Sequence, residues 1–181
     1  MRVIAGKCRS LQLKTPKGLK TRPTQDRIKE TLFNMIQNDV QGCIFVDLYS
    51  GSGGIGIEAL SRGAKKAYFT DNSKEAIECI NSNLDFTHLK EDSVVLFGEV
   101  LTNLNLIKED HVDIVFIDPP YQAGYEDKLF ETFNKCRYID KDTIIILESD
   151  INNNFEFNGF LVYKEKRYKT NKHIFLRKKD E

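Results

Sequence analysis

An α/β fold on a mainly parallel sheet is what this sequence predicts, and three observations predict it. Between Phe45 and Ile146, apolar runs rich in β-branched residues alternate with amphipathic stretches, the rhythm of βαβ units. Two runs, Val112 to Ile117 and Thr143 to Leu147, contain the continuously apolar stretches Ile114 to Ile117 and Ile144 to Leu147, as strands covered on both faces should. Beyond them the style changes: Phe160 to Lys169 and His173 to Lys178 alternate apolar and polar residues around Thr170-Asn171, which predicts an antiparallel hairpin.

The elements follow in order. Arg2 to Ile4 and Leu11 to Lys14 can pair as a small hairpin, with Thr15-Pro16-Lys17-Gly18 as turn material. Pro23 and Thr24 then open a helix in which Ile28, Leu32, Met35 and Ile36 form an apolar stripe. Ile44-Phe45-Val46 begins the sheet, Gly54 to Arg62 is the helix after it, and Ala67-Tyr68-Phe69-Thr70 is the second strand. Ser73 is placed to cap a helix whose Ala76, Ile77, Ile80 and Leu84 share one face, and Val94-Val95-Leu96-Phe97 is the third strand. The division expected is a basic extension over residues 1–40 and a core over 41–181.

The chain has 181 residues, within the range of one ordinary domain. Cys8, Cys43, Cys79 and Cys136 are too scattered for a Cys-x-x-Cys zinc pair, so the expectation is reduced thiols and no metal. No apolar stretch approaches membrane-spanning length, and the N-terminus lacks the apolar run of a signal peptide; a cytoplasmic, soluble monomer is expected. Net charge is zero but unevenly spread. Residues 1–39 hold nine Lys or Arg against three acids, 40–162 hold ten against twenty-one, and 163–181 hold eight against three. Basic ends either dock a polyanion, whose phosphates Lys and Arg neutralise, or are solvated charge without a partner.

Asp47-Leu48-Tyr49-Ser50-Gly51-Ser52-Gly53-Gly54-Ile55-Gly56 lies where the first strand hands over to its helix. Glycines there let backbone approach a ligand beside the free amides of a helix N-terminus. Gly51, Gly53 and Gly56 satisfy G-x-G-x-x-G, with Asp71 about twenty residues on, a pattern that fits NAD, FAD and S-adenosylmethionine alike. Asp47 tilts the choice towards S-adenosylmethionine, because an acid at the strand end can hold the ammonium of its methionine part, a group a pyrophosphate lacks. Tyr49, Ser50, Gly51, Ser52 and Gly53 complete the expected cofactor loop. Asp71, with Asn72 beside it, is positioned to accept from the ribose hydroxyls, and Glu99 from the adenine amine. For each acid the plainer alternative is a solvated strand terminus.

Asp118-Pro119-Pro120-Tyr121 follows the most hydrophobic strand. Ligands of open α/β sheets bind beyond the carboxyl ends of strands, so this loop should face the same crevice as the glycines. Two prolines fix φ and present carbonyls without competing amides. An exocyclic amine on a nucleobase shares its lone pair with the ring and is a poor nucleophile. A loop of this kind answers that weakness: the Asp118 carboxylate and Pro119 carbonyl can each accept one amine hydrogen, aiming the lone pair at a methyl donor, while Tyr121 stacks on the flipped base. The plainer alternative is a tight turn with a buried aromatic.

These blocks together resemble the RsmD-type methyltransferases, which modify a guanine N2 amine of small-subunit (16S) ribosomal RNA. The resemblance is carried by Arg2-Val3-Ile4-Ala5-Gly6-Lys7 with Arg9, by Arg22-Pro23-Thr24-Gln25-Asp26-Arg27 continuing to Asn34, by Asp47 to Ala64 with its Glu58-Ala59-Leu60-Ser61-Arg62-Gly63-Ala64, and by Phe116 to Tyr121. It implies a Rossmann-like class I S-adenosylmethionine-dependent methyltransferase: a mainly parallel seven-stranded sheet, a C-terminal antiparallel hairpin and a small N-terminal basic extension. It also implies that Asp118, Pro119, Pro120 and Tyr121 are catalytic and that Arg2, Arg9, Arg22 and Arg27 hold phosphates of ribosomal RNA or an assembling ribosomal particle. Arg27 can instead pair with Glu30 on its own helix, and Phe33 reads as core. Asp71 stands where such proteins often have Glu, and Glu99 where Asp is frequent. A DNA amino-methyltransferase, a protein glutamine methyltransferase and a non-catalytic RNA- or nucleotide-binding module are the rival readings. His88, His111 and His173 are expected at the surface or at strand edges, and Glu148, ending the fifth strand near the expected crevice, has no assigned role.

Overall fold

The computed structural model describes residues 1–17, 23–120 and 125–180. Two helices, α1 (Pro23–Met35) and α2 (Gln37–Val40), lead into β1 (Ile44–Leu48), α3 (Gly54–Ser61), β2 (Lys66–Asp71), α4 (Lys74–Thr87) and β3 (Ser93–Phe97). Then come α5 (Val100–Asn103), β4 (Ile114–Ile117), α6 (Tyr125–Lys135), β5 (Ile144–Asp150), β6 (Phe160–Arg167) and β7 (Asn171–Lys178). The strands form one seven-stranded sheet in the order β3-β2-β1-β4-β5-β7-β6. β1 to β5 are mutually parallel, while β7 runs antiparallel to β5 and to β6.

Strand alternation divides the core in two. Phe45, Ile114, Phe116, Ile144, Ile146 and Phe175 pack on one face with residues of α1, α3 and α4. Val46, Leu48, Val115, Ile117, Ile145 and Leu147 pack on the other with Val100, Leu129, Phe130 and Phe133 of α5 and α6. Because both faces are covered, the central strands read as continuous apolar runs and the expected fold class is found. Ser73 caps α4 as expected, its side chain accepting from the Ala76 amide. The helix α6 has no counterpart among the sequence expectations; its Leu129, Phe130 and Phe133 are buried, with Phe130 set edge-on to Phe157 and Phe160.

The strand order reverses direction between β1 and β4, and the crevice beyond their carboxyl ends is where a ligand fits. The N-terminal head packs on the core next to it. Its predicted hairpin is a single bridge, Arg2 with Gln12, supported by Val3 N donating to Leu11 O at 3.0 Å and Leu13 N to Met1 O at 2.9 Å. Val3, Cys8 and Leu13 are buried in the first core layer with Leu32, Phe33 and Ile36. All four cysteines are free and buried, as reduced thiols should be. No helix among the described residues is long and apolar enough to cross a membrane.

Candidate active site

The turn after β1 is shaped by its own hydrogen bonds. Ser50 Oγ donates to the Asp47 carbonyl at 2.6 Å and accepts the Thr70 amide at 3.0 Å, which ties the loop to the end of β2. The Ser50 hydroxyl is therefore committed to the loop's shape. Tyr49 adopts φ +60° and Gly53 φ +77°, so the chain reverses within a few residues through a region costly to side chains. At Gly56 the need is close approach: a Cβ there would lie 2.4 Å from the Phe69 ring.

Asp47 is 1% exposed, and one oxygen accepts the Gly56 amide at 2.9 Å. Burial, with some repulsion from Asp118 and Asp71, pushes its pKa up to about 8 despite that bond. An acid left so short of positive partners suits a ligand that brings a cation. Asp71 closes β2 with both oxygens engaged, one accepting Gly51 N at 3.0 Å and the other Ser73 N at 2.8 Å. Its carboxylate is thereby fixed beside the glycine turn. Asn72 Nδ2 donates to Glu99 Oε1 at 3.0 Å, which joins the loops after β2 and β3 at the surface. Neither residue lines the cavity beside the glycine loop.

A cavity of about 160 Å³ is lined by Asp47, Tyr49, Ser50, Gly51, Phe116 and Asp118, among others. The glycine loop and the loop after β4 therefore share one crevice, as the sequence predicts. Pro119 is buried and Pro120 exposed; Tyr121 lies outside the described residues. Asp118 is an exposed residue that lines this cavity, with its carboxyl partly desolvated by neighbouring protein. That desolvation, reinforced by the Glu148 carboxylate, pushes its pKa up to about 7.

Three of the four expected phosphate-binding arginines meet in a second cavity, of about 370 Å³, bounded by Arg2, Arg9 and Arg27 with Asp26 and Glu30. Arg22 lies outside the described residues. Arg2 Nε is held by Asp26 Oδ2 at 3.1 Å. Arg27 and Glu30, both exposed, do not form an ion pair among the described residues, so the intrahelical alternative is not realised.

Sequence reasoning missed the group that holds this head in place. Glu58 is fully buried, and its oxygens accept the Ile4 amide at 2.8 Å, the Ala5 amide at 3.0 Å and Arg62 Nε at 2.7 Å. Lys29 Nζ, also buried, stands 3.3 Å away and donates to the Arg2 carbonyl. The signal was available: an acid inside Gly54-Ile55-Gly56-Ile57-Glu58-Ala59-Leu60, an otherwise apolar helix, must be paired. Phe33 is core, with the Arg62 guanidinium 4.9 Å from its ring centre.

One histidine corrects its expected place. His88 ends α4 in the left-handed region and His111 sits by Asp140 at 2.9 Å, but His173 is 0% exposed. It lies on β7, which β6 covers, so it is not at an edge. No cluster of His, Cys, Asp or Glu among the described residues could hold a metal ion.

The family model described as Conserved hypothetical protein 95 matches residues 1–177. A candidate rRNA methyltransferase of Bacillus subtilis, YlbH, is 36% identical over 152 residues, 83% of either chain. Ribosomal RNA small subunit methyltransferase D of Haemophilus influenzae is 29% identical over 154 residues, 83% of this chain and 79% of that one. Among solved structures, a candidate methyltransferase of Escherichia coli, yhhF, superposes with a TM-score of 0.85 at 25% identity, covering 100% of this chain and 99% of its own.

Proposed function

The chain belongs to the Conserved hypothetical protein 95 family, the RsmD-type methyltransferases, and from that premise we propose that it methylates the exocyclic N2 amine of a guanine in small-subunit (16S) ribosomal RNA, with S-adenosylmethionine as donor. The observation that carries this reading is the shared crevice, in which Asp118 and the glycine loop line one cavity at the β1/β4 switch point. The cofactor fits the residues present: Asp47 is a buried acid awaiting a cation, and Asp71 is a carboxylate pinned by two amides where a diol can meet it. When bound, it supplies an electrophilic methyl on a positively charged sulfur.

The protein's part is orientation. Asp118 and the Pro119 carbonyl accept the two amine hydrogens, and Tyr121 stacks on the base, so that the nitrogen lone pair points along the line of attack. Asp47 and the loop Tyr49, Ser50, Gly51, Ser52 and Gly53 hold the methionine part. Asp71, Asn72 and Glu99 hold the ribose and adenine. In this reading the protein acts in the cytoplasm as a monomer on ribosomal RNA or an assembling ribosomal particle.

The test is incubation with methyl-labelled cofactor and separate rRNA, tRNA, DNA and protein acceptors. Label is expected in small-subunit rRNA; label in DNA or in protein glutamine would move the chain to a rival class.

The basic head carries a second expected result. Arg9 and Arg27 are exposed at their cavity, while Arg2 is already engaged by Asp26. Changing Arg9 and Arg27 together to alanine should weaken RNA binding and flatten its salt dependence by about 0.7 to 0.9 log units of slope for each phosphate no longer neutralised. Titrations at several salt concentrations read this directly. An unchanged slope would assign the head to the fold alone.

A further inference from the structure

Half-buried Glu148 and buried His173 form a polar pair that the proposed orientation of the amine does not use. The parallel pairing of β4 with β5 ends on Ile117 opposite Leu147, so Asp118, the residue just past β4, follows beside Glu148 of β5, on chains whose strands are spaced about 5 Å apart. On its other side Glu148 pairs with His173 of β7. Both Glu148 oxygens are clamped from β7: Asn171 Nδ2 donates to Oε1 at 2.7 Å, and His173 Nε2 lies 3.1 Å from Oε2. The opposite ring nitrogen, Nδ1, is 3.0 Å from the Tyr168 hydroxyl, an arrangement that leaves Nε2–H facing Glu148 in the neutral ring. Asn171 gives its amide to Glu148 although its own oxygen is left buried without a donor.

We propose that Asp118 accepts the proton that the methylated nitrogen must lose, and that Glu148 is a positioning residue which, clamped by Asn171 and His173, holds a second negative charge beside it. The inference rests on the amino-methyl transfer proposed above. A primary amine that gains a methyl group becomes a cation carrying one proton too many. The N–H bond breaks, its electron pair stays on nitrogen, and the proton moves to a carboxylate oxygen of Asp118. From there it leaves through the open crevice mouth. An isolated aspartate is too weak a base to hold that proton well near neutral pH, whereas one whose ionised form is opposed by a fixed neighbour is better matched. The groups facing Asp118 are Asp47 from β1 and Glu148 from β5; Asp71 at the end of β2 stands beyond Asp47, and His173 and Tyr168 stand behind Glu148. Among these, Glu148 is the charged group that acts on Asp118, and it favours the protonated carboxyl.

The test compares wild type with Glu148→Gln in two readouts: the pH profile of single-turnover methyl transfer, and the titration of the Asp118 carboxyl followed by carbon NMR on the protein without RNA. The wild-type rate should rise through a midpoint near pH 7, where the carboxyl titrates. In Glu148→Gln both midpoints should fall by about one pH unit and the plateau rate by about tenfold, with the KM for RNA unchanged. Asn171→Ala, at the half-exposed hairpin tip, should shift both in the same direction by less, and serves if the first variant folds poorly. A carboxyl midpoint that moves while the rate profile stays would overturn Asp118 as the proton acceptor. Midpoints that both stay would overturn the role of Glu148. Wild-type protein that moves no methyl group to any RNA, while its carboxyl still titrates near 7, would instead remove the functional reading on which the proposal stands.

Discussion

Replacing Asp118 by alanine should lower methyl transfer about 10²- to 10³-fold, the usual consequence of removing one group that acts on the reacting atoms in the transition state. Cofactor affinity should change little. Asp47, Gly56, Asp71 and Gly51 keep their mutual hydrogen bonds, and among the described residues none of the fold's hydrogen bonds ends on the Asp118 side chain. The expected effect on stability has a definite sign. Its folded-state pKa of about 7 lies above the ordinary 3.8, so the folded chain holds this proton more tightly than the unfolded one. The linked stability is intact below pH 4 and is lost as pH rises through 7. Asp118→Ala removes that loss, so at pH 8 the variant should melt at the wild-type temperature or above it. A large drop in melting temperature would mean that Asp118 serves the fold and that its kinetic effect is indirect.

Replacing Glu58 by alanine should be the most damaging single change to stability, at about 3–5 kcal/mol. Two backbone amides lose their acceptor, and Lys29 is left as a buried cation without its partner. Burial already pushes the Lys29 ammonium down from its usual range, and Glu58 is the main group opposing that push. Because whole domains are stable by only about 5–15 kcal/mol, the variant should unfold at a much lower urea concentration. The head should loosen first, since Ile4 and Ala5 lose two of the hydrogen bonds that fasten it to the core. A midpoint within experimental error of wild type would show that the apolar packing of Val3, Cys8 and Leu13, with the hydrogen bonds of Lys7 and Cys8 to Ser61, suffices to hold the head.

These two residues also show what sequence makes legible. Asp118 stands out because its neighbours in the chain are its neighbours in function: a continuous apolar strand, two prolines and an aromatic define the loop locally. The glycine turn is legible for the same reason, as is the C-terminal hairpin with its period of two. Glu58 and Glu148 acquire their meaning from partners far away in the chain. Ile4 lies 54 residues from Glu58, and His173 lies 25 from Glu148 across an antiparallel register that no local pattern specifies. The sequence places Glu148 at the end of the fifth strand, near the crevice; in the structure β5 continues to Asp150, and its pairing with β7 sets His173 opposite Glu148. A hairpin at the end of the sequence suggests an edge position for His173, yet β7 inserts between β5 and β6 and the edge falls to β6. Tyr121 and Arg22, central to the sequence reading, lie outside the described residues and keep their roles as proposals.

Methylation of a guanine amine in this crevice is the central claim. Its most direct test is to incubate the protein with small-subunit RNA and methyl-labelled S-adenosylmethionine, digest the RNA completely and identify the labelled nucleoside by mass spectrometry. N2-methylguanosine is the single labelled product expected, strongly reduced in Asp118→Ala. Label on a ring nitrogen, on a ribose hydroxyl or on adenine or cytosine would contradict it.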